Sequence, residues 1–360
     1  MIRIDELYCN TFLPLLQDRP LHGLHWFDPF GSVKFEDLRS TPPVPWNDQA
    51  IRYLFWDQEP LHTHTLDETL PAFKKMYNGT HHIITSEYNS EILEYLVNTY
   101  DFIPHYYFFH GWASLDWFRG YNRSFLMPPA DRRQISKTFL APNRIVAGQR
   151  KHRLVMLYHI FKNGLEHNWI SCPDVCPAEN ISIIQAIKSL TSTYPDIEKV
   201  FSQQTLPVYF PHETKNSIDS GTSARLDLFA QSAESLLYLI TETVATGRRQ
   251  HLTEKTFKPI CLRMPFIMVS CAGSLEYLRG YGFKTFDTLW DESYDSESND
   301  TQRYEKISYL LQDLDSLSIK EKQRLFSSAI DICQHNYDHF YGGGFERILW
   351  QELTGMINEF

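Results

Sequence analysis

Short apolar runs alternate with helix-spaced stretches through most of the chain. IRYLFW (51–56) is a continuous apolar run of strand length, and it stops at Asp57-Gln58-Glu59-Pro60. HHIITS (81–86) predicts a second strand. EYNSEILEYLVNTY follows, with Ile92, Leu93, Leu96 and Val97 on one helical face. HYYFFHG (105–111) predicts a third strand. The first 45 residues, rich in Pro, Trp and Phe, predict loops with short strands, and MPPADRRQISKT (127–138) a linker.

The alternation then resumes. KTFLAPNR is strand-like to Pro142, RKHRLVMLYHIFK (150–162) has a helical pattern, and NWISCP gives a short strand. SIIQAIKSL is helical and SLLYLITET (235–243) is a strand. TEKTFKPICLR predicts a helix, PFIMVS a strand, and GSLEYLRGYG a helix closed by Gly280 or Gly282. KTFDTLWDESYD predicts a strand end and an acidic loop. Two long helices close the chain, and no short repeat appears. Strand–helix alternation favours α/β layers. The expected fold class is α/β with two Rossmann-like domains facing a cleft. The first spans 1–136, the second 137–341, and a final helix from 342 to 360 crosses back to the first. Open parallel sheets bind ligands outside the carboxyl ends of their strands.

Composition supports this division. A chain of 360 residues suits two domains, and 42% apolar residues can fill two cores. Lys and Arg number 34 against 44 Asp and Glu, giving −10. That balance argues against a broad nucleic-acid-coating face but leaves room for a local basic groove, with arginines near 132–153 and at 248–249 as its material. Six scattered cysteines make no disulfide framework. Cys172 and Cys176 lack a second pair for zinc. No signal peptide and no membrane-length apolar run is evident, so a soluble cytoplasmic protein is expected. The histidines in HTH and HH lack the spacing of a metal site, and DESYD (291–295) is expected to cap a helix or shape a pocket. No metal and no other cofactor is expected. Core packing is the leading role for His110, Trp112 and Trp117, and an acceptor or stacking role is the alternative.

The densest chemistry lies in HLTEKTFKPICLRMPFIMVS (251–270). Thr253 suits an N-cap, with its hydroxyl accepting from an unpaired backbone N–H. The helix start favours an anion, and Lys255 and Lys258, one turn apart, add positive charge. A diphosphate fits. Glu254 would repel it unless the carboxylate points to a ribose. The competing reading is a capped surface helix with an i, i+4 ion pair. Gly247-Arg248-Arg249-Gln250 just upstream predicts a flexible basic loop.

This TEK segment, with its apolar helix and PFI strand, resembles the donor-binding segment of fucosyltransferase-type enzymes of the GT-B fold. Phage-encoded glycosyltransferases are more similar still, reading alike through GSLEYLRGYGFKTFDTLWDESYD. The resemblance covers about residues 137–300 and is strongest over 236–295. It implies that Glu254 contacts a nucleotide ribose and Lys255 a diphosphate. It also implies that FLAPNRIVAGQRKHRLVML supplies phosphate contacts from Asn143, Arg144, Arg150 and Arg153, a register that does not separate Arg150 from Arg153. Glu242, at a strand end, is expected to hold base or sugar or to orient Lys255.

The implied activity moves a sugar from a nucleoside-diphosphate sugar to a hydroxyl. An attacking hydroxyl needs a base, and Asp57 or Glu59 after the apolar run is the expected source, with Glu87 placed similarly. A retaining mechanism needs none. The acceptor implied by the phage resemblance is a hydroxymethylated pyrimidine in DNA. A glycan or lipid-linked sugar, a non-catalytic nucleotide- or sugar-binding module, and a nucleoside-phosphate hydrolase are the alternatives.

Overall fold

The computed structural model describes residues 3–17, 19–28, 34–37, 48–176, 180–210 and 225–360. Parts of the opening stretch expected as loops, 29–33 and 38–47 among them, lie outside the described residues. The chain is α/β. It divides into two compact units: Met1–Asp116 with Arg248–His251 and Phe345–Phe360, and Trp117–Gly247 with Leu252–Gly344. Residues 117–136, expected in the first domain, belong to the second unit.

The first unit holds a five-stranded sheet in the order β2-β1-β3-β4-β5. Its strands are β1 (His22–Phe27), β2 (Phe35–Asp37), β3 (Ile51–Trp56), β4 (Thr80–Thr85) and β5 (Ile103–Tyr106). Only the β1–β2 pair is antiparallel. The apolar run of β3 is explained by its central position, where both faces are covered. On one face, Leu54, Trp56, Ile83 and Phe102 pack with Leu66, Leu70 and Phe73 of the helix Thr63–Met76 and Leu96 of the helix Glu91–Tyr100. Ser90 caps the latter by accepting from the Leu93 N–H at 3.3 Å.

The strand expected over 105–111 stops at Tyr106, and Phe109–Phe118 is a helix. The Ser86 hydroxyl accepts the Phe109 N–H at 3.0 Å, diverting the backbone from the ladder. Gly111 lets the helix Gly344–Ile357 approach: a Cβ there would lie 2.9 Å from Phe345 Cζ. Trp112 meets Trp350 edge-on at 4.7 Å, and Glu352 accepts the Phe108 N–H at 2.8 Å. Trp112 is thus a core residue.

The second unit holds a parallel four-stranded sheet, β11-β10-β6-β7. Its strands are β6 (Lys137–Ala141), β7 (Trp169–Ile170), β10 (Ser235–Thr241) and β11 (Phe266–Val269). A small hairpin of β8 (Val175–Cys176) and β9 (Ile181–Ser182) lies between β7 and β10 in sequence. The helix Lys151–Lys162 is buried nearly all round. The expected linker over 127–138 is tightly held. Arg133 is buried and donates to the carbonyls of Arg263 (3.0 Å) and Leu262 (2.8 Å), and the Ser136 N–H reaches Glu234 (2.9 Å). After the helix Ser274–Gly280, Gly282 rather than Gly280 takes the left-handed conformation, with φ of 87°. The strand end expected in KTFDTLWDESYD does not form. Asp295 of that segment instead accepts the N–H groups of Leu275 (3.0 Å) and Glu276 (3.3 Å), capping the helix.

Candidate functional site

In both sheets the strand order reverses beside the first parallel strand, between β1 and β3 in one and between β6 and β10 in the other. Ligand sites favour such switch points. In the second unit, Asn143 follows β6 and Glu242 follows β10. The Thr241 hydroxyl donates to Asn143 Oδ1 at 2.9 Å and joins the two strand ends. The Asn143 side-chain amide donates to Ala141 O at 3.2 Å, and its N–H to Ser171 Oγ at 2.8 Å. Asn143 is a buried joint rather than a displayed ligand.

Glu242 is fully buried, and its carboxylate accepts four bonds. They come from the Thr243 N–H (3.0 Å), the Thr253 N–H (3.1 Å), the Thr253 hydroxyl (2.5 Å) and the Thr256 hydroxyl (2.6 Å). This corrects two expectations. Thr253 precedes the helix Glu254–Cys261 but makes no side-chain cap: its hydroxyl donates to Glu242, and its oxygen accepts from Lys255 Nζ rather than from a helix N–H. Glu242 has no capacity left for a base or sugar; it supports the helix start. It does orient Lys255 indirectly, since Lys255 Nζ donates to Thr253 Oγ1 (3.3 Å), Thr243 Oγ1 (3.1 Å) and Glu254 Oε1 (2.7 Å).

The Lys255 side chain is 28% exposed and Glu254 is almost covered. Lys258 lies one turn on, its ammonium held below the usual lysine range by burial, against the opposing charges of Asp227 and Glu254. The helix is therefore no bare surface helix: Phe257, Pro259 and Ile260 are buried beneath it.

Arg153, in the first turn of the helix Lys151–Lys162, is 4% exposed. Its guanidinium donates to the carbonyls of Glu242 (3.0 Å) and Ile145 (3.1 Å). Among the described residues no carboxylate forms an ion pair with it, and its Nε finds no hydrogen-bond partner. Burial, with the nearby Arg150 charge, lowers it to about 10 while Glu242 and Glu254 pull the other way. His152 donates its Nε2–H to the same Glu242 carbonyl (2.9 Å), and burial, with the Arg153 charge, lowers its imidazole to about 3. Arg144 and Arg150 are half-buried. The structure thus separates Arg150 from Arg153: the second is built into the sheet edge, and the first lies within electrostatic range of it.

In the first unit, Asp57 follows β3 and is 1% exposed. Its Oδ2 accepts the Tyr8 hydroxyl at 2.6 Å and the Tyr107 hydroxyl, and the two tyrosine oxygens lie 3.3 Å apart. Burial lifts the Asp57 carboxyl to about 6, against the pull of its bonds from Tyr107, Tyr8 and Trp26. Burial and the Asp57 charge raise both tyrosines. Glu59 is half-buried on the turn beyond, so geometry distinguishes the two acids.

Glu87, after β4, is also buried. Its Oε1 accepts the Leu61 N–H (3.0 Å) and Arg249 Nη1 (3.1 Å), and burial raises its carboxyl against the Arg249 charge. The segment 248–251 is not a flexible basic loop. Gln250 forms a two-way backbone bridge with Tyr88 (2.8 and 3.0 Å), and Arg248 holds Asn89 (2.9 Å) and Glu94 (2.7 Å). The burial of Arg133, Arg153 and Arg249 removes three of the arginines expected to line a basic groove.

Sequence reasoning missed Tyr8 and Tyr107. Tyr107 sits at a strand's carboxyl end, where the parity of HYYFFHG would have aimed it beside Asp57. Tyr8 comes from a helical turn, Tyr8–Phe12, that no pattern marked. Among the described residues, no group of three or more His, Cys, Asp or Glu is arranged to hold a metal ion, and no helix is long and apolar enough to cross a membrane. No family model, no curated protein and no solved structure matches the chain.

Proposed function

We propose that this chain is a glycosyltransferase of the GT-B type, binding a nucleoside-diphosphate sugar on its second unit. One observation carries the reading. A buried guanidinium, Arg153, is held by carbonyls instead of a carboxylate at the switch point of a parallel sheet whose edge also carries the Glu254–Lys255 pair. A cation so positioned lacks full neutralisation, and a phosphoryl group supplies it. Lys255 and Arg150 add positive charge near the same edge. Glu254 exchanges its bond from Lys255 for ribose hydroxyls when Lys255 turns to phosphate.

Asp57 is the proposed base. The acceptor hydroxyl forms the new bond to the anomeric carbon, and its proton passes to the carboxylate. The sugar–phosphate bond breaks, and the diphosphate leaves with the electron pair, stabilised by Arg153, Arg150 and Lys255. A carboxyl lifted toward neutrality by burial is a stronger base than an exposed one.

The acceptor proposed from the resemblance is a hydroxymethylated pyrimidine in DNA, with a glycan or lipid-linked sugar as the alternative. Rates on a DNA acceptor fall steeply with salt, and those on a glycan do not. A thermal-shift panel of UDP-, GDP-, TDP- and CDP-sugars tests donor binding. One donor stabilises the chain if the reading holds; no shift at millimolar donor removes it. The burial of Asp57 favours one rival, a binding module without turnover, and release of labelled nucleoside diphosphate in the presence of acceptor decides between them.

A further inference from the structure

On one face of the first unit's sheet, β4 and β5 carry two imidazoles in contact. His82 Nδ1 lies 2.7 Å from His105 Nε2, and the rings are parallel within 3° with centroids 5.0 Å apart. A hydrogen bond between two ring nitrogens needs one donor and one acceptor, so one bridging proton suits the pair. A second proton would set two N–H groups head to head. The residues after the last helix cover this pair. Phe360 packs on Tyr53 at 4.4 Å and edge-on to His105 at 5.0 Å, and Glu359 Oε2 lies 3.6 Å from His105 Nδ1.

We propose that the His82–His105 pair is an acid-operated latch on residues 345–360: sharing one proton, it presents a closed surface to Glu359 and Phe360, and double protonation releases them. The groups around the pair are mostly basic or neutral. They are His22 at the start of β1 with Arg19 beside it, Tyr53 on β3, His81 next on β4 with Lys74, Arg52 and Asp101 acting on it, and Glu359, the acid whose charge acts on His105. Burial, with the charges of His105, His22 and His81, holds His82 down at about 4. Burial lowers His105 too, with Glu359 opposing. The sign follows. The docked form binds fewer protons than a released form with imidazoles near 6.5, so docking is complete above that value and weakens as pH falls toward 4. The latch is independent of the catalytic reading, because none of these residues belongs to either strand-end site.

Hydrogen exchange on the full chain, corrected for the intrinsic pH dependence, tests it. Protection of 345–360 should fall at least tenfold between pH 7.5 and 5 while β3 amides stay protected, with a parallel change in tryptophan emission from the Trp112–Trp350 contact. The pair variant His82→Phe with His105→Phe should abolish that pH dependence. Glu359 is 69% exposed, so Glu359→Gln tests the sign without threatening the fold. Losing the acid that favours protonated His105 in the docked form should raise the release midpoint by roughly 0.2–0.7 of a pH unit. Unchanged protection at pH 5, loss only together with β3, or a midpoint unmoved or lowered in Glu359→Gln each overturns the latch.

Discussion

The two sheets share a strand order and a switch point but invest them oppositely. The second unit's edge assembles cations: Arg153 on carbonyls, Lys255 on hydroxyls and a carboxylate, and Lys258 one turn on. The first unit's edge assembles acids, Asp57 under two tyrosines and Glu87 against Arg249. Buried acids also appear at the cationic edge, where Glu242 ties four donors into a helix mount. The contrast teaches that burial alone does not assign a role. A carboxylate with all its bonds satisfied by backbone and threonine is scaffold. One raised by burial and touched by two tyrosine hydroxyls, Asp57, is the proposed proton acceptor.

The largest effect should come from Asp57→Asn. Turnover should fall by roughly 10²–10⁴-fold with donor affinity unchanged, measured by initial rates and calorimetry. The same change should stabilise the protein near neutrality. The Asp57 carboxyl is raised to about 6 when folded and is near 3.8 when unfolded. The folded form therefore holds the proton longer, and stability falls as pH rises through that window. A neutral amide at this position escapes the cost, and denaturant midpoints at pH 7.5 should rise by an equivalent of about 1–3 kcal/mol. A destabilised variant would show the acid to be scaffold.

Glu242→Ala should do the reverse. It strands four donors in the interior, costing about 3–5 kcal/mol, seen as a lowered unfolding midpoint. An unaffected midpoint would remove the distinction between the two carboxylates. Lys255→Ala should weaken nucleotide-sugar binding by about 10–100-fold in calorimetry, as loss of a charge-assisted phosphate contact does. Equal donor affinity would remove the ammonium from the site. The smallest shift is expected from Tyr107→Phe. That hydroxyl favours ionised Asp57, so its loss should move the acidic limb of the pH–rate profile upward. A downward move would break the assignment of that limb to Asp57.

Much of this frame was legible from period and length alone. The runs at 51–56, 80–85, 235–241 and 266–269 are strands because parallel sheets bury both faces, which leaves apolar residues no alternation to hide. Failures arose where one hydrogen bond redirected the backbone, as Ser86 does at Phe109, or where a loop was judged by its charges. Arg133 and Arg249 look solvent-seeking in sequence, yet their forks find carbonyls and a carboxylate inside. In the candidate site, Glu254 and Lys255 were visible from a helix start. The four-bond commitment of Glu242 was not, because its donors at 243, 253 and 256 come together only through folding. The tyrosines on Asp57 were hidden likewise, coming from positions 49 and 50 residues away.

The assignment of Phe345–Phe360 to the first unit has a consequence for biosynthesis. That unit is interrupted in the gene order by the second, so a ribosome finishes the inserted unit before its host can close. Until residues 345–360 emerge, Gly111 and Trp112 lack the helix that packs on them. The nascent chain would carry these residues uncovered through the later stage of translation, a window in which chaperone capture is expected.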